Sequence, residues 1–122
     1  MSIGQGEVLT TPLQLAKMIS IFANGQGLVH PHLIKAVAGK QINIGENRTV
    51  KLSDETVNNI NNALRGVVDN PSGTAHEIEI EGLKIYAKTG TAQVSGKLAH
   101  GWLVGYAGRD KPRYTFCIFL EH

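Results

Sequence analysis

A chain of 122 residues suits a single domain with a modest hydrophobic core. Its 12 basic and 10 acidic residues are dispersed, with a formal net charge of +2 and no basic stripe, which argues against nucleic acid and anionic membrane as partners. No apolar run approaches the roughly 20 residues of a membrane-spanning helix, and no secretory signal peptide is visible.

The single cysteine and the two ends of the chain limit the interpretation further. Cys117 excludes an internal disulfide and a cysteine metal site, and its position in YTFCIFL predicts a small buried residue. The sequence SIGQGEV begins without a preceding capping segment, and the final Leu-Glu-His resembles the junction to a histidine tag. We expect residues 1–119 to be part of a longer domain and residues 120–122 to be a tag remnant. A native terminus is the alternative.

The segment TTPLQLAKMISIFANGQG predicts the first helix. Thr11 is a suitable N-cap, Pro12 suits the first helical position, and Gln14 completes a capping box with Thr11. Asn24 and Gly25 provide the stop. Four apolar residues at helical spacing predict the face that packs on the core: Leu15, Met18, Ile19 and Phe22.

Two short strands and a second helix are predicted next. The strands lie in LVHPHLIKAVAG and KQINI, with the turn near Gly39-Lys40. The helix lies in LSDETVNNINNALRGVVDN, capped by Ser53 and ended by Asn70-Pro71, after which PSGTAHEIEIEG leads out through a turn. Its acidic first turn suits the positive end of a helix dipole. Its apolar stripe consists of Val57, Ile60, Leu64, Val67 and Val68.

The last third of the chain is predicted to be a sheet. LKIYAKTGTA alternates so that Leu83, Ile85 and Ala87 share one face. GWLVGYAG and RYTFCIFL follow, joined by a turn at Asp110-Lys111-Pro112. Three consecutive strands with short connections predict an antiparallel meander. Because the helices come early and the strands late, the predicted fold class is α+β, with helices packed on an antiparallel sheet.

The triplet Lys88-Thr89-Gly90, followed by Thr91, is the candidate site. Lys88 offers a positive charge, Thr89 and Thr91 offer hydroxyl donors, and Gly90 lets a ligand approach the backbone. Alternation puts Lys88 and Gly90 on one face and the threonines on the other, so the strand's edge must line the site. An edge can pair with an extended peptide and point the Thr91 N–H at a carbonyl under attack. On the triplet alone, a solvated strand end is favoured over a catalytic site, and only the surroundings of the triplet change that preference.

The surroundings of the triplet resemble one enzyme family. GLKIYAKTGTAQ, followed by HGWLVGYAG and a last apolar strand, resembles the Lys-Thr-Gly region of penicillin-binding protein transpeptidases. SIGQGEVLTTPLQLAKMISIFANGQGLVHPHLIK and VVDNPSGTA resemble earlier segments of the class B enzymes, especially the penicillin-binding protein 2 type. The septal type is the alternative within the class. The blocks keep the family's order from Ser2 to about Phe119.

The resemblance implies part of the penicillin-binding/β-lactamase-like transpeptidase fold. It also implies a membrane-anchored D,D-transpeptidase with its catalytic domain in the periplasm or outside, which cross-links peptidoglycan stem peptides through an acyl-serine and binds β-lactams. By resemblance, Lys88 serves electrostatics and the proton network, Thr89, Gly90 and Thr91 bind the substrate and its carboxylate, and the Thr91 N–H is half of the oxyanion hole. No cofactor and no metal is implied.

The serine motifs of that family are absent from the sequence. No serine has lysine three residues later and none begins Ser-x-Asn; the five are Ser2, Ser20, Ser53, Ser72 and Ser95. The closing helix and the early strands are missing as well. We expect the chain alone to be inactive. Its exposed sheet should favour self-association or pairing with the missing N-terminal part of its own domain.

The sequence leaves two further hypotheses, a metal site and a non-catalytic module. His30 and His32 alternate around Pro31 and would share a strand face, but no carboxylate or thiolate lies at ligand spacing to them, to His76 or to His100, so surface histidines are favoured over zinc. His100 precedes the second strand near the expected cleft mouth. Trp102 and Tyr106 should share a strand face as core or cleft wall.

The second functional class is a non-catalytic module that binds a peptide or partner at its sheet edge.

Overall fold

The computed structural model describes residues 5–42 and 48–121. In chain order the elements are α1 (Pro12–Ala23), β1 (Gly27–Leu28), β2 (Ala36–Val37), β3 (Lys40–Gln41), β4 (Arg48–Thr49), α2 (Asp54–Asp69), a 3₁₀ turn (His76–Ile78), β5 (Lys84–Ala92), β6 (His100–Gly108) and β7 (Tyr114–Leu120). The helices pack on an antiparallel β5-β6-β7 sheet, which confirms the α+β class. No described helix is both long and apolar enough to cross a membrane.

Helix α1 begins as predicted and departs from the predicted packing at Met18. The Thr11 side chain accepts the Gln14 N–H at 3.2 Å and the Gln14 side chain accepts the Thr11 N–H at 2.8 Å, which completes the capping box. Ile19 is buried, whereas Met18 is 44% exposed. The core-facing stripe runs through Ile19, Phe22 and Ala23, and Met18 lies about 100° around the helix from Ile19. The placement of Met18 in the core was therefore wrong.

Helix α2 follows the prediction closely. The Ser53 hydroxyl accepts the Thr56 N–H at 3.1 Å, so Ser53 is the N-cap. The helix ends at Asn70, whose N–H donates to the carbonyl of Gly66. Leu64 and Val68 are its buried residues. The turn expected beyond it contains a short 3₁₀ helix that the sequence did not reveal.

The segment between the helices departs from the two predicted strands. β1 pairs with β4 through Gly27↔Thr49 and Leu28↔Arg48, and β2 pairs with β3 as a separate hairpin. The run LVHPHLIKAVAG is interrupted because its proline has no N–H to donate to a ladder. The predicted turn is present at Ala38-Gly39, where both residues have positive φ, as a type I′ hairpin turn requires. Asn43 and Ile44 of KQINI, like Ser2 and His122, lie outside the described residues.

The meander has the predicted strands and an unbroken register. β5 pairs with β6 from Lys84↔Gly108 to Ala92↔His100, and β6 pairs antiparallel with β7. One face of the sheet, which we call the Tyr106 face, packs on Ile19 of α1 and Leu64 of α2. Tyr86, Lys88, Gly90, Trp102 and Val104 lie on this face with Tyr106.

The opposite face, which we call the Ala87 face, packs on the end of α2. Ala87 is fully buried there with Val68 and Ala75, and Leu83 packs against the same cluster. Ile85, Thr89 and Thr91 of β5 lie on this face with Ala87. Cys117 is half-buried on the Tyr106 face of β7, opposite Val104, and its burial raises the pKa of the thiol. The end of α2 therefore covers the Ala87 face at β5, whereas α1 lies against β6 and β7.

Candidate functional site

The outer edge of β5 is open where the Lys-Thr-Gly triplet lies. β6 pairs with one edge of β5, and no described strand pairs with the other. The Arg65 guanidinium donates to the main-chain oxygen of Ile85 at 3.2 Å, so the backbone groups of Ile85 face this outer edge. In an antiparallel strand both backbone groups of alternate residues face the same edge. The N–H groups of Thr89 and Thr91 therefore face the outer edge too.

The lysine reaches the same edge from the Tyr106 face. Its Nζ donates to the carbonyl oxygen of Thr89 at 2.7 Å. Lys88 is exposed and Thr89 is half-buried, with Thr91 exposed beyond them. Alternation does split the side chains between the two faces, as the sequence predicted. The curled lysine brings its charge to the edge that the Thr89 and Thr91 N–H groups face.

Gly90 leaves room above the strand. A Cβ built on Gly90 would meet only the Cβ of Trp102, at 3.4 Å, which is nearly ordinary contact. A Cβ on Gly105 would instead clash with the carbonyl oxygen of Tyr86 and lie 2.7 Å from Cζ of Phe116. Gly105 is thus needed for packing. Packing within the described chain does not explain glycine at position 90, which is consistent with close approach by a ligand.

A threonine outside the triplet joins the site. The hydroxyl oxygens of Thr74 and Thr89 lie 2.7 Å apart, within hydrogen-bond distance. Sequence reasoning placed Thr74 only in a segment leading to the strand. The signal that could have pointed to it is the run GTA between the end of α2 and β5. A second missed contact is the side-chain oxygen of Gln5, which accepts the Gln93 N–H at 3.1 Å just beyond β5.

The aromatic residues near the site are structural. Tyr106 is 1% exposed, stacks on Tyr86 at 4.6 Å between ring centroids and donates to Asn61 Oδ1 at 2.5 Å. Burial, with a smaller effect of Tyr86, raises the pKa of Tyr106 far above its ordinary value of about 10. Tyr106 is therefore a neutral core donor. Trp102 packs on Phe119 at 4.3 Å between ring centroids, near the open end of the sheet.

The described histidines lie at separate places in the structure. His30 and His32 lie in irregular chain, and His32 Nδ1 lies 3.1 Å from the carbonyl oxygen of His30, so the prediction of a shared strand face was wrong because Pro31 interrupts the strand. Within residues 5–42 and 48–121, no group of three or more His, Cys, Asp or Glu side chains could hold a metal ion. His76 Nδ1 lies 2.8 Å from the carbonyl oxygen of Val68.

His100, unlike the other described histidines, lies next to the end of the candidate strand. It begins β6 opposite Ala92, the last residue of β5. Its ring packs edge-on against Phe119, with 5.0 Å between centroids.

Two of the serines have structural hydroxyls. Ser20 donates to the carbonyl of Lys17 at 2.7 Å inside α1, and Ser53 caps α2. Neither has the lysine partner that would activate it for attack.

The whole chain, residues 1–122, matches the model of the penicillin binding protein transpeptidase domain. The chain belongs to the penicillin-binding protein transpeptidase family.

Its similarity to known penicillin-binding proteins extends over nearly its full length. Peptidoglycan D,D-transpeptidase MrdA of Acinetobacter baumannii is 33% identical, over 99% of this chain and 21% of MrdA. PBP2 of Pseudomonas aeruginosa, solved in complex with WCK 5153, has a TM-score of 0.85 and 30% identity over 98% of this chain and 27% of its own. Penicillin-binding protein A of M. tuberculosis, solved as an imipenem acyl-enzyme complex, has a TM-score of 0.75 and 25% identity over 98% of this chain and 28% of its own.

These findings confirm the resemblance to PBP2-type transpeptidases that the sequence showed. This chain spans about a fifth of the length of the curated relatives it matches.

Proposed function

We propose that this chain supplies one wall of the active site of a peptidoglycan D,D-transpeptidase. The wall is the outer edge of β5 from Lys88 to Thr91. The attacking serine, its lysine partner and the Ser-x-Asn motif belong to the rest of a longer protein. Residues 1–119 would be the C-terminal part of its transpeptidase domain. The longer protein would be anchored in the cytoplasmic membrane, with this domain in the periplasm or outside.

One observation carries the proposal: the Lys88 ammonium and the outward backbone groups of Thr89 meet at an edge that no described strand covers. A donor peptide in extended conformation can add to this edge as a further strand. Its main chain would pair with the outward groups of Thr89 and Thr91. Its carboxylate would accept from their hydroxyls, close to the positive charge of Lys88.

The chemistry that follows is acyl transfer. The serine oxygen attacks the donor carbonyl, and the negative charge that develops on the carbonyl oxygen needs N–H donors placed in advance. The Thr91 N–H would supply one of them and the serine's own N–H the other. Collapse of this intermediate would break the amide bond of the donor, release its C-terminal residue as a protonated amine and leave the acyl-serine. An amine of a neighbouring stem peptide would then attack the acyl carbon, form the cross-linking amide and release the serine oxygen, which regains its proton. Lys88 would assist by its charge and in the proton network.

β-Lactams would use the same edge. They offer a carboxylate and a reactive carbonyl, the two groups that this wall is arranged to hold. The M. tuberculosis relative was solved as an imipenem acyl-enzyme complex, which supports covalent acylation by a β-lactam within the family. Without the attacking oxygen, this chain alone would form no adduct, because a lysine and two N–H donors cannot replace a nucleophile with its base.

The second candidate is a non-catalytic module that holds a peptide or a partner at the same open edge. Labelling with a fluorescent penicillin separates the two functions. The longer protein should be labelled and the 122-residue chain should not. Labelling of the longer protein should also disappear when it is boiled beforehand. A longer protein that takes up no label, although folded, would favour the module.

A further inference from the structure

The loop that leads to Thr74 is tightly braced on the end of α2. The Gly73 N–H donates to the carbonyl of Asn70 at 2.7 Å, and the Ala75 N–H donates to the carbonyl of Val67 at 3.1 Å. Ala75 is 7% exposed and packs in the cluster that contains Ala87 of β5. The residues on both sides of Thr74 are therefore fixed by the helix and the core.

Gly73 makes this loop tight enough to present Thr74 to the strand. A Cβ on Gly73 would clash with the carbonyl oxygen of Val67 and would lie 2.9 Å from that of Asn70. No other residue fits there without moving the loop. The position of the Thr74 backbone is thus set by the main-chain contacts of its neighbours, and a threonine side chain has only one torsion between its backbone and its oxygen.

The fixed hydroxyl contacts the threonine of the triplet. Thr74 Oγ1 lies 2.7 Å from Thr89 Oγ1, and either hydroxyl can donate. A carboxylate has no proton to give at neutral pH, so it must accept from Thr89. The Thr89 oxygen can then accept from Thr74. The two hydroxyls form a short relay in which the first donor polarises the second.

We propose that Thr74 is a positioning residue that fixes the Thr89 hydroxyl for the carboxylate of the ligand. This inference rests on the proposed function of the β5 edge. Thr74 acts through Thr89 and need not touch the ligand. It holds the Thr89 side chain in the rotamer that donates along the strand edge. Thr89 is therefore ready before the ligand arrives, and its ordering need not be supplied on binding.

The first test measures acylation of the longer protein by a carboxylate-bearing β-lactam. Thr74→Val keeps the shape of the side chain and removes its hydroxyl. The dissociation constant of the non-covalent complex should rise about fivefold, which corresponds to the loss of one hydrogen bond. The acylation rate constant should change little. Thr74→Ser should restore wild-type binding. Thr89→Val should weaken binding, and Thr74→Val should add nothing to it. Thr49→Val is the control, an exposed threonine in β4, outside this sheet.

Three outcomes would overturn the inference: unchanged binding in Thr74→Val, equal loss in Thr74→Ser, or additive losses in the double variant.

The second test needs no acylation. Methyl NMR of the 122-residue chain should show a single Thr89 χ1 rotamer in the wild type and in Thr74→Ser, and averaging in Thr74→Val. Averaging in the wild type contradicts the inference. A wild-type longer protein that forms no adduct contradicts the proposed function, and the rotamer measurement then still decides the role of Thr74.

Discussion

The Arg65 guanidinium donates to the main-chain oxygen of Ile85 at 3.2 Å and so covers the start of the outer edge of β5, which opens again at Thr89. Arg65 also forms an ion pair with Asp69 and lies 5.8 Å from the ring centroid of Tyr86. An open edge invites pairing with other strands, and a charged residue over it limits where such pairing can occur. The covered part of the edge therefore includes a side-chain donor from α2.

Replacing that side chain should destabilise the fold. Arg65→Met keeps much of the aliphatic packing but leaves the Ile85 oxygen without its donor, and we expect a loss of about 1–2 kcal/mol in the free energy of unfolding. Urea denaturation followed by circular dichroism measures it. Arg113→Met is the matched control, since Arg113 lies 5.7 Å from the ring centroid of the exposed Tyr114. Equal losses in both variants would show that the edge contact contributes nothing of its own.

The two sheet glycines should respond differently to alanine. Gly105→Ala forces a Cβ against the Tyr86 carbonyl and the Phe116 ring, so we expect about 2–3 kcal/mol of destabilisation. Gly90→Ala meets only the Cβ of Trp102 and should change stability by less than about 1 kcal/mol. In the longer protein, Gly90→Ala should nevertheless slow penicillin labelling by about tenfold, because the new methyl group lies where the ligand approaches. Normal labelling by Gly90→Ala would mean that the ligand keeps clear of this residue.

The burial of Tyr106 should make the free energy of unfolding depend on pH in alkaline solution. Its pKa is raised in the folded state by burial, so the unfolded chain loses this proton first as the pH rises. The contribution to stability is complete below about pH 10, the ordinary pKa of tyrosine, and is lost progressively above it. Urea unfolding at about pH 8 and about pH 11 should therefore show a marked drop at the higher pH.

Tyr106→Phe is the variant that tests this assignment. It removes the hydrogen bond to Asn61, so stability at about pH 8 should fall by about 1 kcal/mol. Its further loss between about pH 8 and about pH 11 should be clearly smaller than in the wild type. Tyr114→Phe, at an exposed tyrosine, should leave the alkaline loss unchanged. If Tyr106→Phe loses as much stability in alkali as the wild type does, another group is responsible.

Local chemistry explains which parts of this structure could be predicted from the sequence. The caps of both helices depend on residues three positions apart, and the meander joins strands that are neighbours in the chain. The alternation of side chains along β5 predicted its two faces and placed Lys88 and Gly90 on the same face. These features need only the covalent geometry of a short segment.

The parts that could not be predicted depend on contacts between distant segments. How much of the outer edge of β5 is covered follows from the placement of α2, through Arg65. The pair Thr74–Thr89 follows from how the loop after α2 folds back on the core. The contact of Gln5 with Gln93 joins residues 88 positions apart. The β1–β4 pair also spans a long separation, and its dipeptide strands are too short to leave a periodic pattern.

The exposed apolar residues of β7 predict association of the isolated chain. Ile118, Phe119 and Leu120 are 56%, 38% and 69% exposed, on a strand whose outer edge pairs with no described strand. Such an edge favours strand pairing between copies. Light scattering should show a mass that rises with concentration, and Ile118→Lys should reduce the rise without unfolding the chain. A constant monomer mass up to high concentration would contradict this expectation.

Lys88→Ala tests the proposed wall most directly. In the longer protein it should lower the second-order rate constant of penicillin acylation by about a hundredfold, because a charge that assists both binding and proton transfer is lost. The fold should be kept, since Lys88 is exposed and its Nζ contacts only the oxygen of its neighbour Thr89 among the described hydrogen bonds.

Lys84→Ala is a close control, because Lys84 is exposed on the same strand and the same face, four residues away from the triplet lysine. It should acylate at the wild-type rate. Equal acylation rates for Lys88→Ala and the wild type would remove Lys88 from the site, whereas equal losses in both lysine variants would indicate a general effect of charge on the strand.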